Sequence, residues 1–360
     1  MLHFFWCTYD LRDQSYNIYE SSNFEIAKWA EYYLSQKTAF HQSYWRAGRV
    51  TDNPNDILLG HPTWAIPELP GFGKIQRNWV KDNALTASAA CHPNTYMLNP
   101  WVPNFPPEWL TNMPFLESQM LAVNKIFALC GKLWIQKTLE KQDESIQSLV
   151  KDKLVHLNMG VAAQNIKTIK NKFNQIGERQ IIHISNLGTY KGFDITCKSV
   201  MGLDTLLHVA SRDLEAPVGL LEIKVDNQDV IFNFLSSVDN NDPEFNQWIV
   251  ENCDFYIHTS TMDAQATTIL ENCARGLIPL ITPESGFASP HAIYLTHNPD
   301  ENRKIIEWAL NLPEEELLKR SELIRQQIYN EHNWEGIFGK IWDEIMADID
   351  SRSQTVVTVP

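Results

Sequence analysis

Residues 253–282 constrain the fold of this chain more than any other stretch of its sequence. Residues 253–260 form a short apolar run, residues 264–275 favour a helix, and residues 277–282 form a second apolar run. Gly276 stands where this helix is expected to end, because glycine readily adopts the left-handed conformation found there. Two short buried strands joined by a helix are the repeating unit of a parallel α/β sheet, whose ligands bind beyond the carboxyl ends of its strands.

Two acidic residues, Asp263 and Glu271, lie at the start and in the middle of the predicted helix. If the helix begins at Asp263, the rise between them is about 12 Å, at roughly 1.5 Å per residue. This exceeds the spacing of the paired carboxylates of glycoside hydrolases, about 5 to 9.5 Å. It suits an extended ligand with hydroxyl groups at both ends and a phosphate over the helix start. The alternative is structural: Asp263 caps the helix and Glu271 lies on a solvated face.

The run of residues 263–282 resembles the signature of the retaining GT-B glycosyltransferases of the group 1, family 4-like kind, which use nucleotide sugars. In that signature an acidic residue and seven others precede a glutamate, and a helix end of small residues and a short strand follow. The resemblance implies that Asp263 touches the donor sugar and that Glu271 binds the ribose hydroxyls. Asp263 is one methylene shorter than the glutamate that is usual there.

A second segment of the chain resembles the same family. Residues 180–186 form a strongly apolar run that predicts a strand, and the sequence after it is similar to the family's G-R-L-x-x-x-K-G segment, whose basic residues bind the donor diphosphate. Lys191 and Gly192 match this pattern, whereas Asn186 stands where arginine is usual. The resemblance therefore implies one cation at the diphosphate instead of two.

The first half of the chain offers two strand-end histidines. Residues 84–91 are predicted to form a strand that ends at His92, and residues 56–60 to form one that ends at His61. In the family such a histidine contacts the donor sugar, so the resemblance implies His92, with His61 as the alternative. The implied catalytic residues are His92, Asp263 and Lys191. The implied donor-binding residues are Glu271, Lys191, Asn186, Gly192, Ala264, Gln265, Ala266 and Thr267, the alanines through N–H groups at the helix start.

Composition excludes several classes of function. A formal net charge of −14 and a pI near 5.2 argue against nucleic acid as a partner. The six cysteines show no C-x-x-C spacing, so neither a zinc site nor a disulfide framework is expected. The only Asp-x-Asp triplet, at Asp348 and Asp350, falls in a predicted polar helix, so no metal site and no cofactor are expected. No signal peptide or membrane span is predicted, which favours the cytoplasm and leaves peripheral membrane contact open.

A chain of 360 residues is expected to form two domains. The fold class expected from the resemblance is α/β of the GT-B type, with two Rossmann-like domains that face each other across a cleft. The expected domains are residues 1–160 for the acceptor, residues 161–334 for the donor, and residues 335–360 as a helix that crosses back to the first domain, plus a tail. Among the elements predicted in the second domain are a helix at residues 193–212 and a strand at residues 217–225.

The function implied by the resemblance is transfer of a sugar from a nucleotide diphosphate sugar to a hydroxyl group, with retention of configuration. The expected partners are the nucleotide sugar and a carbohydrate or glycolipid acceptor, as in polysaccharide or glycolipid assembly. The alternative is a non-catalytic GT-B module that binds a nucleotide or a glycan. That alternative is favoured by Asn186, by Asp263, by a first loop without glycine, and by Ala162, which stands where the family has an aspartate.

Overall fold

The structure, a computed structural model, describes residues 1–6, 22–44, 47–62, 78–99, 113–140, 144–211, 213–236 and 242–357. The chain divides into two compact units. The first unit comprises Met1–Asn158 and Trp334–Pro360, and the second comprises Met159–Asn333. The sequence predicts boundaries after residues 160 and 334, and the two units divide after Asn158 and after Asn333.

The first unit is built on a six-stranded sheet. Its strands are β1 (Leu2–Trp6), β2 (Phe40–Tyr44), β3 (Ile57–Gly60), β4 (Thr95–Asn99), β5 (Lys125–Leu129) and β6 (Leu154–Leu157). They follow the order β2-β1-β3-β4-β5-β6, and every neighbouring pair is parallel. Strands β1 and β3 are buried along their whole length, as expected of strands covered on both faces. β2 was not predicted from the sequence.

Among the described residues of this unit, five helices precede its last strand. They are α1 (Ser22–Leu34), α2 (Trp79–Asp82), α3 (Met113–Ala122), α4 (Lys132–Leu139) and α5 (Glu144–Lys151). Asn78 caps α2, since its side chain accepts hydrogen bonds from the N–H groups of Val80 and Lys81. The ring of Trp79 then stacks on Phe5 of β1, with 4.5 Å between the ring centroids. This contact ties the helix to the centre of the sheet.

The predicted strand over residues 84–91 is wrong. These residues are half-buried or exposed and form no strand, whereas β4 begins at Thr95. The small side chains of residues 84–91 offer little apolar surface, while Tyr96, Met97 and Leu98 bury large side chains fully. His92 therefore precedes a strand and lies near its amino end. His61 directly follows β3 and lies at the carboxyl end of that strand.

The second unit is built on a seven-stranded sheet. Its strands are β7 (Ile181–Ile184), β8 (Leu207–Ala210), β9 (Gly219–Val225), β10 (Gln228–Phe234), β11 (Phe255–His258), β12 (Ile278–Ile281) and β13 (Ile293–Tyr294). The order is β13-β12-β11-β7-β8-β10-β9, and only the β9–β10 pair is antiparallel. The helices are α6 (Phe193–Val200), α7 (Pro243–Asn252), α8 (Thr267–Arg275), α9 (Pro299–Leu310) and α10 (Glu314–Glu331).

The prediction of one long helix over residues 193–212 is wrong. α6 ends at Val200, and Gly202 follows with a φ of +78°, a left-handed conformation that stops a helix. The buried run Leu207–Ala210 then enters the sheet as β8. The strand predicted over residues 217–225 exists, but it pairs with the unpredicted β10 as a hairpin. Asp226 and Asn227 form its turn with φ values of +49° and +64°.

The last helix, α11 (Trp334–Val357), belongs to the first unit. It packs on α1, and Lys125 of β5 forms an ion pair with Glu344 at 2.6 Å. Asp348, the first residue of the Asp-x-Asp triplet, accepts a hydrogen bond of 2.7 Å from the hydroxyl of Tyr96. It also forms an ion pair with Arg352 at 3.0 Å. The helix thus forms part of the same compact unit as the amino-terminal strands. Within the described ranges no helix is both long and apolar enough to cross a membrane.

Candidate functional site

The candidate site is built by three loops of the second unit. They follow β7, β11 and β12, which are neighbours in the sheet and run parallel to one another. Their carboxyl ends therefore meet at one edge of the sheet, the edge at which ligands of such sheets bind. The first loop carries Asn186, Lys191 and Gly192, and the second carries Asp263 and leads into α8.

Gly192 fixes the position of Lys191. Residues Thr189–Lys191 form a single 3-10 turn, and Gly192 leaves it with a φ of +69°. A Cβ atom at Gly192 would overlap the carbonyl oxygen of Thr259, the residue that follows β11. The Thr259 hydroxyl donates a 2.6 Å hydrogen bond to the Gly192 carbonyl. The close approach of the two loops therefore requires glycine at this position, for both its conformation and its lack of a side chain.

Lys191 and Asp263 form an ion pair between these two loops. The lysine side chain is 15% exposed and the aspartate side chain 7%. Burial acts to raise the pKa of the Asp263 carboxyl, but the charge of Lys191 and a hydrogen bond from His258 outweigh it, so the net pKa is lowered. Asp263 is therefore ionised at neutral pH, and the site places one cation and one anion in contact beneath its surface.

Asp263 is not the N-cap of the helix. α8 begins at Thr267, and its N-cap is Ala266, which provides no side-chain hydrogen bond. The structural alternative for Asp263 is therefore wrong. The 12 Å rise expected between the two acids is also wrong, because only the part of α8 from Thr267 to Glu271 is helical, a rise of about 6 Å.

The loop between Asp263 and α8 is held by its neighbours and does not form part of the helix, contrary to the expectation for Ala264–Ala266. The N–H of Ala266 donates to the Ser285 carbonyl at 3.3 Å. The side chain of Gln265 accepts from the N–H of Met159 at 2.6 Å and donates to the Gly286 carbonyl at 3.1 Å.

The N–H groups that a helix start leaves without intrahelical partners belong here to Thr267 and Thr268. These two residues directly follow the segment 264–266, which the sequence analysis expects to provide the N–H groups. Of the loop residues predicted to bind the donor, Thr267 alone lies in the first turn of α8.

Glu271 lies one turn into α8, on its least buried face. Thr267, Thr268 and Glu271 are half-buried, whereas the remaining residues of the helix are buried. The Thr268 hydroxyl lies 2.7 Å from the hydroxyl of Tyr256, which also donates to the Ile184 carbonyl at 2.9 Å. Burial raises the pKa of Tyr256, and the charges of Glu271 and Asp263 raise it further. The charges of the two acids thus both act on one hydroxyl group.

Asn186 contacts the same loop and not the ion pair. Its side-chain amide donates to the Tyr190 hydroxyl at 3.1 Å, and its side-chain oxygen accepts from the N–H of Gly188 at 3.3 Å. The Lys191 ammonium lies 5.2 Å from the centroid of the Tyr190 ring. Asn186 therefore orders the loop that carries Lys191.

His258 was missed in the sequence. It is the last residue of β11, it is fully buried, and its Nε2 lies 3.3 Å from Oδ2 of Asp263. The strand-end argument that selected histidines in the first unit applies equally here, and would have found it.

The two candidate histidines of the first unit, His92 and His61, differ in their surroundings. His92 donates through Nε2 to the Asn53 carbonyl at 3.0 Å and accepts the N–H of Asn94 at 3.3 Å, so both ring nitrogens bond to backbone groups of nearby loops. His61 donates through Nδ1 to the Pro62 carbonyl at 2.8 Å. Burial lowers the pKa of His61 to about 4, so it is neutral at pH 7. Of the two, only His61 lies at the carboxyl end of a strand.

Among the residues that the structure describes, no three His, Cys, Asp or Glu side chains lie together as a metal ion requires. That the protein needs no metal ion stays a prediction, which experiment has to test.

The overall fold matches solved glycosyltransferases. The structure of WaaG, a glycosyltransferase involved in lipopolysaccharide biosynthesis, matches with a TM-score of 0.58 at 11% identity over 96% of this chain and 99% of that one. An E. coli trehalose-6-phosphate structure bound to UDP-2-fluoro glucose matches with a TM-score of 0.63 at 8% identity over 96% and 98%. S. aureus TarM, in complex with UDP, matches with a TM-score of 0.54 at 13% identity over 90% of this chain.

The chain spans 59% of the length of TarM. No protein-family model and no curated protein matches the sequence. At these identities the likeness concerns the fold: the chain has the GT-B fold of glycosyltransferases, with two Rossmann-like domains.

Proposed function

We propose that this protein is a glycosyltransferase that moves a sugar from a nucleotide diphosphate sugar to a hydroxyl acceptor, with retention of configuration. The observation that carries the proposal is the Lys191–Asp263 ion pair beside the start of α8, at the carboxyl ends of β7 and β11. A cation, helix N–H groups and an acid meet there, at the edge where parallel sheets bind their ligands. An acceptor from polysaccharide or glycolipid assembly is part of the proposal.

The donor diphosphate would lie between Lys191 and the first turn of α8. As the bond between the sugar C1 and the phosphate oxygen breaks, its electron pair goes to the diphosphate, which gains negative charge. Lys191 and the N–H groups of Thr267 and Thr268 stabilise that charge from fixed positions. The acceptor oxygen bonds to C1, and its proton passes to the diphosphate oxygen that has left the sugar.

The two acids serve opposite ends of the donor. Asp263 lies next to Lys191 and is ionised, so it can stabilise the positive charge that develops on the sugar ring. Glu271, on the least buried face of α8, accepts hydrogen bonds from the ribose hydroxyls. The roughly 6 Å rise along α8 from Thr267 to Glu271 leaves the ribose one helical turn away from the phosphates.

The test is a thermal-shift screen with nucleoside diphosphates and their sugar conjugates, followed by assays of donor hydrolysis and of transfer to sugar acceptors for each ligand that binds. Stabilisation by at least one donor, with turnover that survives EDTA, is expected because the charge stabilisation is assigned to Lys191 and N–H groups. Loss of all turnover in EDTA with rescue by Mn²⁺ or Mg²⁺ contradicts the metal-independent mechanism.

A second candidate is a non-catalytic GT-B module that binds a nucleotide or a glycan. Asn186 favours it, because the resemblance implies an arginine on the diphosphate at this position. The side-chain amide of Asn186 forms a hydrogen bond with the Tyr190 hydroxyl instead. Binding of a nucleotide sugar without hydrolysis or transfer across sugar acceptors supports this module. For either candidate the sequence favours the cytoplasm, with or without contact to a membrane surface.

A further inference from the structure

His258 contacts the carboxylate that Lys191 neutralises. Its Nε2 lies 3.3 Å from Oδ2 of Asp263, the same oxygen that forms the ion pair with Lys191. His258 is 0% exposed and Asp263 is 7% exposed. One carboxylate oxygen thus contacts two groups, the ammonium of Lys191 in the loop after β7 and a ring nitrogen of His258 at the end of β11.

This contact determines the tautomer of His258. The Asp263 carboxylate is ionised and only accepts hydrogen bonds, so Nε2 of His258 must carry the proton. Nδ1 is buried and has no hydrogen-bond partner among the described residues. A buried lone pair without a donor is tolerated better than a buried N–H without an acceptor. The ring is therefore a neutral imidazole, with its proton on Nε2.

The surroundings of the ring also favour the neutral form. It stacks on His183 of β7 and on Tyr256 of its own strand, with centroid distances of 5.9 Å and 6.2 Å. The charged groups that face it are Lys191 and Asp263. Burial lowers the pKa of His258 and Lys191 lowers it further, against the opposing effect of Asp263. The net pKa is lowered, so the ring stays neutral at neutral pH.

We propose that His258 is a positioning residue, a neutral donor that keeps the Asp263 carboxylate in place while an anionic diphosphate competes for Lys191. This inference rests on the proposed function. Without ligand, Asp263 has both contacts. When the diphosphate binds, Lys191 is shared between two anions, and the contact from His258 continues to orient Asp263. A neutral donor does this without placing a second charge beside Lys191.

The first experiment needs no ligand. In the free protein labelled with ¹⁵N-histidine, two-bond ¹H–¹⁵N spectra from about pH 6 to about pH 8 are expected to show His258 protonated at Nε2 alone, without titration in this range. The His258→Gln variant assigns the signals. An imidazolium pattern in this range, or a proton on Nδ1, overturns the proposal.

The second experiment compares His258→Leu with His183→Leu, a matched control from the neighbouring strand that is equally buried and has no contact with Asp263. The His258→Leu change is expected to lower kcat roughly tenfold to a hundredfold, the effect of one hydrogen bond to a charged group. Affinity for nucleoside diphosphate should stay within about threefold. His258→Gln, which places an N–H near the position of Nε2, should recover most of kcat.

A double-mutant cycle separates this role from a general loss of structure. In the His258→Leu background, Asp263→Asn should lower kcat by less than about threefold, because Asp263 has already lost its position. Full additivity of the two changes, or an equal loss of kcat in His183→Leu, overturns the proposal. If no nucleotide binds to the wild type, the proposed function fails, and the ligand-free spectra alone decide whether His258 donates to Asp263.

Discussion

Lys191 and Asp263 join two loops of the second unit through an ion pair that is largely shielded from water. Among the described residues neither forms a second ion pair, and the neutral ring of His258 contacts Asp263 through a hydrogen bond. Removal of one partner from a buried pair leaves a charge without compensation, which costs more stability than removal of both. The pair therefore contributes to the fold and, under the proposed function, to donor binding, and experiments must separate these contributions.

Lys191→Ala is expected to lower kcat/KM for the donor by about 2 to 4 kcal/mol, as for loss of a group that stabilises charge in the transition state. It also lowers Tm, since Asp263 loses its cation. The double variant Lys191→Ala, Asp263→Asn should recover Tm but not kcat/KM. Steady-state kinetics beside melting curves measure both effects, and an unchanged kcat/KM in the single variant would show that the diphosphate binds elsewhere.

Asp263→Asn should depress kcat at least about tenfold and leave the affinity for nucleoside diphosphate unchanged or improved. The carboxylate acts on the sugar ring, and its removal leaves Lys191 free for the phosphates. Stopped assays of turnover and titrations with nucleoside diphosphate test the two parts separately. A loss of nucleotide affinity with a normal kcat would show that Asp263 does not act on the sugar.

The lowered pKa of Asp263 makes a prediction for acid stability. Burial opposes the shift, but Lys191 and His258 bring the folded pKa below the value of about 3.9 for an unfolded aspartate. Such a carboxylate contributes stability that is complete above the unfolded pKa and is lost as pH falls through the folded pKa.

The difference in Tm between wild type and Asp263→Asn should therefore be constant from about pH 5 to about pH 8 and shrink below about pH 4. A difference that does not change down to about pH 3 would contradict the lowered pKa.

The first unit offers a choice between two histidines. If a strand-end histidine of this unit contacts the donor sugar, as the resemblance implies, the position of His61 fits and that of His92 does not. His61→Ala should then lower kcat, whereas His92→Ala should chiefly lower the free energy of unfolding by about 1 to 3 kcal/mol, because it leaves buried groups unpaired. Denaturant unfolding and kinetics on both variants decide between the two histidines. A loss of kcat in His92→Ala and a loss of stability alone in His61→Ala would favour His92 as the residue that contacts the sugar.

Much of this architecture could be read from the sequence because its strands are continuous apolar runs. The run at residues 255–258 and the run at residues 278–281, each buried on both faces, stand out from the polar helices around them. The start of α7 carries a local signal, since Pro243 occupies its first helical position and the preceding Asp242 accepts a hydrogen bond from the N–H of Glu244. Such signals are local and need no knowledge of the rest of the chain.

Signals that depend on tertiary context were missed. β8 follows α6 after a few residues, and nothing in its composition separates it from a helix until its place between β7 and β10 is known. Asp263 has the sequence features of an N-cap. Its N–H, however, donates to the Glu284 carbonyl at 2.8 Å, and its side chain forms an ion pair with Lys191. Both partners come from distant parts of the sequence, so local rules placed the helix start three residues too early.

The central claim is that the loop carrying Lys191 and the start of α8 bind a nucleoside diphosphate, with Glu271 on the ribose. Isothermal titration of wild type and Glu271→Gln with the nucleoside diphosphate selected by the thermal-shift screen tests it most directly. The claim predicts binding to the wild type and a loss of about 1 to 3 kcal/mol of binding free energy in the variant. Melting curves without ligand measure the structural part of the change separately, because the charge of Glu271 also acts on the buried Arg275. Equal affinity of the two proteins for the nucleotide would contradict it.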